Sequence, residues 1–225
     1  MLVLVVDSST PAVTAALVEV SAGGVAARAQ RCTVDARAHG ELLAPQVEAV
    51  LAEGDVRPGD LAAIVAGLGP GPFTGLRVGL VTAATMGQVL GVPTYGVCSL
   101  DGIGHPAAAG EPVLAATDAR RREVYWAVYD GAGQRIGGPE VAVPALVAER
   151  ARELAVTAAV GDGAHRYADV LGLPLRAEPR YPDATALAVL AAERIRAGAP
   201  GEVLTPLYLR RPDAVASATR KPVLP

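Results

Sequence analysis

Apolar residues fill positions 1–6 without a break, and Asp7-Ser8-Ser9-Thr10-Pro11 ends the run, which predicts a buried strand closed by a polar turn. Alternation of Val13, Ala15, Leu17 and Val20 predicts a second strand, turned by residues 21–24 into a third over 25–34. The chain therefore opens as an antiparallel meander. The period then lengthens. Leu42, Leu43, Val47, Val50 and Leu51 recur at helical spacing over 39–53, where Pro45 is placed to kink the first turns. A loop over 55–60, a buried strand over 61–66, a helix from about Phe73 or Thr74 to Leu90, and a strand over 92–98 complete a βββαβαβ half.

The second half repeats the order. Residues 100–112, rich in Gly, Ala and Pro, read as a crossing between lobes. Strands follow over 113–117, 123–130 and 136–143, then a helix that Pro144 opens and that runs to about Leu154. A short strand over 158–160, the turn Gly161-Asp162-Gly163, a short helix over 165–171 and an extended segment over 173–179 come next. Asp183 caps a helix over 184–196 that ends in Arg194 and Arg196 and stops at Gly198 and Pro200. A last strand over 203–209 precedes a Pro-bounded tail, 212–225, expected to be flexible. Two βββαβα runs predict a duplicated α/β fold with an N-terminal lobe, 1–100, a C-terminal lobe, 101–211, and a cleft between them.

One turn and helix stand out within this pattern. Gly67, Gly69, Pro70, Gly71 and Pro72 can continue neither the strand before them nor a helix. Beyond them Gly75, Gly79, Ala83 and Gly87 recur every four residues and line one helical face with small side chains. Leu76, Leu80, Val81, Val89 and Leu90 cover much of the rest, and Arg77 is the only charge. Such a stripe admits a close neighbour. Either the helix packs tightly on its own sheet, or it docks a second protein.

Composition narrows the chemistry. The chain has 225 residues, is 51% hydrophobic and carries a net charge of −3, so it builds a core but has no basic field of the kind independent nucleic-acid binders use. Any RNA contact must be local or shared with a partner, and Arg120 to Arg122 and Arg210-Arg211 are the local candidates, although such runs are more often solvated arginines. Cys32 and Cys98 read as small core residues of a reduced protein. Without a basic leader or a long apolar run the chain is expected to be soluble and cytoplasmic, away from membranes.

His39, His105 and His165 form no HxxxH or HExxH pair, so no metal ligands are assigned; no GxSxG elbow occurs, and no catalytic residue is assigned. The glycine turn is neither a P-loop nor a GxGxxG fingerprint. Asp7 and Asp118 end the first strand of each half, and facing each other they could hold magnesium beside a nucleotide phosphate. Ser9, Gly69 and Gly71 complete that possible nucleotide-facing set. The alternative is that each aspartate caps a turn.

Six motifs carry a resemblance along nearly the whole chain. They are Asp7-Ser8-Ser9-Thr10, His39-Gly40-Glu41-Leu42-Leu43-Ala44-Pro45, Gly69-Pro70-Gly71-Pro72-Phe73-Thr74-Gly75-Leu76-Arg77-Val78-Gly79, Asp118-Ala119-Arg120-Arg121, Gly161-Asp162-Gly163 and Pro206-Leu207-Tyr208-Leu209-Arg210. Together they resemble the TsaB (YeaZ) family, the accessory subunits of the bacterial machinery that makes N6-threonylcarbamoyladenosine (t6A) at position 37 of tRNA. Gly40 stands where many relatives have serine, and Arg122 where many have glycine.

The resemblance implies an actin-like or Hsp70-like ATPase (ribonuclease H-like) fold. It implies a non-catalytic subunit that dimerises with and activates TsaD, the paralogous catalytic subunit, works with the ATPase TsaE, and meets tRNA indirectly through the complex. No cofactor is obligatory, although ATP or ADP with magnesium enters the assembled complex. The implied pairing surface comprises His39, Leu42, Leu43 and Val47 on the first helix and Thr74, Gly75, Val78, Gly79, Thr82, Ala83 and Met86 on the second. Relatives use the same surface to form homodimers when alone. The rival readings are an autonomous weak nucleotide-binding ATPase, a glycoprotease-like metallopeptidase, which the missing histidine pair opposes, and a purely self-associating homodimer.

Overall fold

The computed structural model describes residues 1–210, so the tail over 212–225 lies outside the described residues. The first sheet is built on β1 (Leu2–Asp7), whose unbroken apolar run fits a strand with neighbours on both edges and helices on both faces. Its order is β3 (Gly24–Val34), β2 (Ala12–Ser21), β1, β4 (Ala63–Gly67), β5 (Thr94–Val97). β2 runs antiparallel to β1 with Val5 opposite Ala16, and β4 runs parallel with Val5 opposite Val65. Leu4 and Val6 point into one core with α1 (His39–Glu53) and α2 (Phe73–Leu90). Val3 and Val5 point to the other face.

The second sheet has the order β8 (Arg135–Ala142), β7 (Val124–Tyr129), β6 (Val113–Asp118), β9 (Ala158–Val160). β6 again pairs antiparallel with the next strand and parallel with the strand after the first helix. The topology of the first sheet is thus repeated without its fifth strand. Leu114 and Trp126 pack under α4 (Pro144–Glu153) and α6 (Ala168–Leu171). The opposite face, with Ala115 and Tyr129, packs on Ile103.

Three segments and one cysteine differ from the sequence reading. Residues 100–112 contain α3 (Asp101–Ala107), whose glycines are close-approach points rather than loop formers: a Cβ on Gly102 would sit 2.9 Å from Leu187, and one on Gly104 would overlap the Tyr129 ring. The helix read over 165–171 is two short ones, α5 (Asp162–Arg166) and α6, parted at Tyr167. Residues 203–209 form no strand: the chain touches the first lobe through Glu202 N–H to Thr94 O (2.7 Å) and Leu207 N–H to Leu68 O (2.8 Å). Pro206 lacks the N–H a ladder would need there. Cys32, expected in the core, is exposed because β3 is an edge strand.

The largest departure is α7 (Ala184–Arg196), placed in the C-terminal lobe by chain order. It packs on the first sheet, with Leu187, Ala188, Ala191 and Ile195 against Val3, Val5, Val18 and Tyr95. Nothing in residues 1–100 supplies a helix for that face, and the alanine-rich side of α7 lies flat on it. Asp183 caps α7 by accepting from Ala186 N–H (2.7 Å), and its own N–H donates to Gly102 O of α3 (3.0 Å). Among the described residues no helix is long and apolar enough to cross a membrane.

Candidate functional site

The polar turn after β1 is buried. Asp7 is 2% exposed and its carboxylate accepts from Ser9 N–H (2.9 Å), Ser9 Oγ–H (2.8 Å) and Ser99 Oγ–H (2.5 Å). Ser99 Oγ in turn accepts from Gly69 N–H (3.0 Å), and a Cβ on Gly67 or Gly71 would overlap Asp7 or the Ser9 carbonyl. Burial pushes the Asp7 carboxyl up from its ordinary value, against the hydrogen bonds of Ser99 and Ser9. Asp7, Ser9 and Gly69 thus spend polar groups within this network, joined through Ser99, and are not among the described residues that line the cleft. Gly71 and Asp118 do line the cleft. Magnesium beside a phosphate does not fit at Asp7, whose carboxylate oxygens are taken by its own chain; no cluster of three His, Cys, Asp or Glu among the described residues could hold a metal.

Ser8 explains the glycine stripe. Its Oγ–H donates to Gly75 O (2.7 Å) while the oxygen accepts from Gly79 N–H (2.8 Å), stitching the β1–β2 turn to α2. A Cβ would meet Ser8 Oγ at 2.6 Å on Gly79 and Ser8 O at 2.9 Å on Gly75. Ala83 is fully buried, and Leu43 and Val47 join the same core. These five residues, expected on the pairing surface, face this chain's own interior. His39 is half-buried, its Nε2 donating to Thr10 O (2.7 Å).

The outward side of the two helices is different. Leu42, Val78, Thr82 and Met86 are half-buried, three of them, Leu42, Val78 and Met86, packing against the edge of the first core, and Thr74 is exposed. Val81 and Val89 stand 60% and 78% exposed on α2, with Ala84, Thr85 and Gln88 also exposed between them; on α1, Ala44 and Pro45 are exposed too. Pro58, Thr85, Met86, Val89 and Leu90 line a shallow hollow of about 250 Å³ at the end of α2. Val81 and Val89 lie two turns apart on one face. Their spacing was visible in the sequence, but an equally apolar buried face hid it.

Between the lobes opens a cleft of about 1360 Å³. Its walls carry Arg37 before α1, Arg120, Arg121 and Arg122 in the β6–β7 turn, Arg166 of α5, and Arg210. The three turn arginines all have positive φ, of 61°, 52° and 62°. Asp118 Oδ1 holds the turn by accepting from Arg120 N–H (3.1 Å), and its other oxygen lies 3.4 Å from Arg166. Arg210 donates to Ala119 O (2.7 Å) and pairs with Glu123. At the mouth Phe73 and Tyr208 stack with centroids 5.1 Å apart, and Arg77 covers Phe73 at 3.8 Å while its Nε–H donates to the Tyr208 hydroxyl (2.9 Å). Sequence reasoning noted the arginine runs but missed the aromatic pair, whose members lie in different lobes.

Comparison with known proteins places this geometry. The family model of TsaD, tRNA N6-adenosine threonylcarbamoyltransferase, matches residues 31–198. An uncharacterized protein of Mycobacterium leprae is 46% identical over 95% of this chain, which spans 56% of that relative. The Escherichia coli tRNA threonylcarbamoyladenosine biosynthesis protein TsaB is 34% identical over 93% of this chain and 95% of its own length. A Pseudomonas aeruginosa crystal structure, of a protein with similarity to peptidase YEAZ, superposes with a TM-score of 0.77 at 31% identity, covering 93% of this chain and 99% of its own. The fold is thus the actin-like, ribonuclease H-like one, and the chain belongs to the TsaB (YeaZ) family.

Proposed function

We propose that this chain is the non-catalytic subunit of a tRNA N6-threonylcarbamoyladenosine-forming complex, pairing with and activating a TsaD-type catalytic subunit. The observation that carries the reading is the outward α1–α2 face, where Val81 and Val89 stand exposed among small and apolar neighbours and α2 holds one charge, Arg77. Burying such a face against a partner gains roughly 25 cal/mol per Å² of apolar surface removed from water. A TsaE-type ATPase joins the same assembly, and two copies of this chain pair through the same face when the partner is absent. ATP or ADP with magnesium enters this reading only in the assembled complex, because Asp7 is committed to Ser9 and Ser99.

The test is an omission series with this chain, the catalytic subunit, the ATPase, threonylcarbamoyl-AMP and unmodified tRNA. Modification is expected to collapse when this chain is left out. Full modification without it overturns the reading.

A further inference from the structure

The cleft carries more positive charge than a structural role requires. Among the described residues, Arg37, Arg120 and Arg122 have no ion-pair partner and Asp118 is the only acidic residue in the walls. Arg120, Arg121 and Arg122 hold a backbone conformation that favours glycine, and Asp118 and Glu123 lock the turn in place through Arg120 N–H to Asp118 Oδ1 (3.1 Å) and Glu123 N–H to Arg120 O (3.0 Å). The aromatic mouth adds ring surface: Phe73 and Tyr208, stacked on each other with Arg77 over Phe73, are still 43% and 38% exposed.

Arginines that track a backbone beside exposed aromatic rings are the combination that binds single-stranded nucleic acid. At about 1360 Å³ the cleft also exceeds the roughly 300–1,000 Å³ of a small-molecule pocket. We infer that the inter-lobe cleft docks tRNA directly, Arg37, Arg120 and Arg122 gripping phosphates and the Phe73–Tyr208 pair stacking an unpaired base. The inference rests on the accessory-subunit reading for the identity of the RNA and goes beyond it by giving this chain its own contact. A net charge of −3 is compatible, because the basic residues are concentrated in one cleft.

The experiment measures fluorescence anisotropy of a labelled unmodified tRNA transcript on the full chain, without partner subunits, across a salt series. The Arg37→Ala/Arg120→Gly/Arg122→Gly variant is expected to bind about tenfold more weakly or worse, with the slope of log K against log salt reduced by about 2. Glycine at 120 and 122 suits the positive φ, so the loss does not come from unfolding; a melting curve checks this. Phe73→Ala is expected to weaken binding about fivefold or more with the slope unchanged. Equal binding by wild type and the triple variant, no binding by wild type, or displacement of the tRNA by ATP and magnesium at equimolar amounts each overturn the inference. Run beside the omission series, these outcomes remove the groove while leaving the accessory reading intact; full modification without this chain removes the latter.

Discussion

Two carboxylates, Asp7 buried and Asp162 half-buried, show how differently one side chain can be treated. Asp7 has three donors on its oxygens, whereas Asp162, at the start of α5, has one oxygen with no partner. Burial, before any neighbouring charge, pushes the Asp162 carboxyl up to about 6 from an ordinary 3.8. Because the folded value is the higher one, its favourable contribution is complete below pH 3.8 and is lost as pH rises through about 6. At pH 8 the folded state therefore carries a cost of order 1–3 kcal/mol from this group. Asp162→Asn removes the charge. Its melting temperature should exceed that of wild type at pH 8, and the gain should fade towards pH 4. A gain of equal size at both pH values means that ionisation is not its cause.

On the scale of an element, α2 has two apolar faces, one buried in this chain and one exposed. The Gly75, Gly79, Ala83 face is fastened to this chain by Ser8, so Gly79→Val forces a clash and should cost about 1–3 kcal/mol of the monomer's own stability in a denaturant titration. On the Val81, Val89 face, a Val81→Glu/Val89→Glu pair should leave stability within about 0.5 kcal/mol per site and abolish pairing with the catalytic subunit in sedimentation. Unchanged pairing in that pair rules out this face as the dock. The sequence already revealed the stripe, the absence of charge and the helix bounds, because all three are local. It could not reveal which neighbour fills the stripe, since Ser8 lies 67 residues from Gly75 in the chain. The same limit hid the Phe73–Tyr208 pair and the burial of Asp7, each fixed by residues distant in sequence. Where glycine served packing in α3, its local reading as a loop signal misled.

On the scale of the molecule, α7 makes the two lobes one unit. It covers the face of the first sheet formed by Val3, Val5, Val18 and Tyr95, while the Asp183 N–H before it bonds Gly102 O of α3. Asp101 of the same α3 accepts from Tyr129 (2.7 Å) and pairs with Arg135 (3.0 Å), both in the second sheet. A lesion where α7 meets the first sheet should therefore be felt in the second. Ile195→Ala, at a site 4% exposed, should cost about 2–5 kcal/mol and lower the melting temperature by roughly 5–15 °C. The sole tryptophan, Trp126, sits in β7 of the other sheet and reports that sheet alone by fluorescence, while far-UV circular dichroism reports the whole chain. Coupled lobes require both signals to move down together in Ile195→Ala. If Trp126 keeps its wild-type transition while the dichroism shifts, the lobes melt independently and α7 is only a cover for the first sheet.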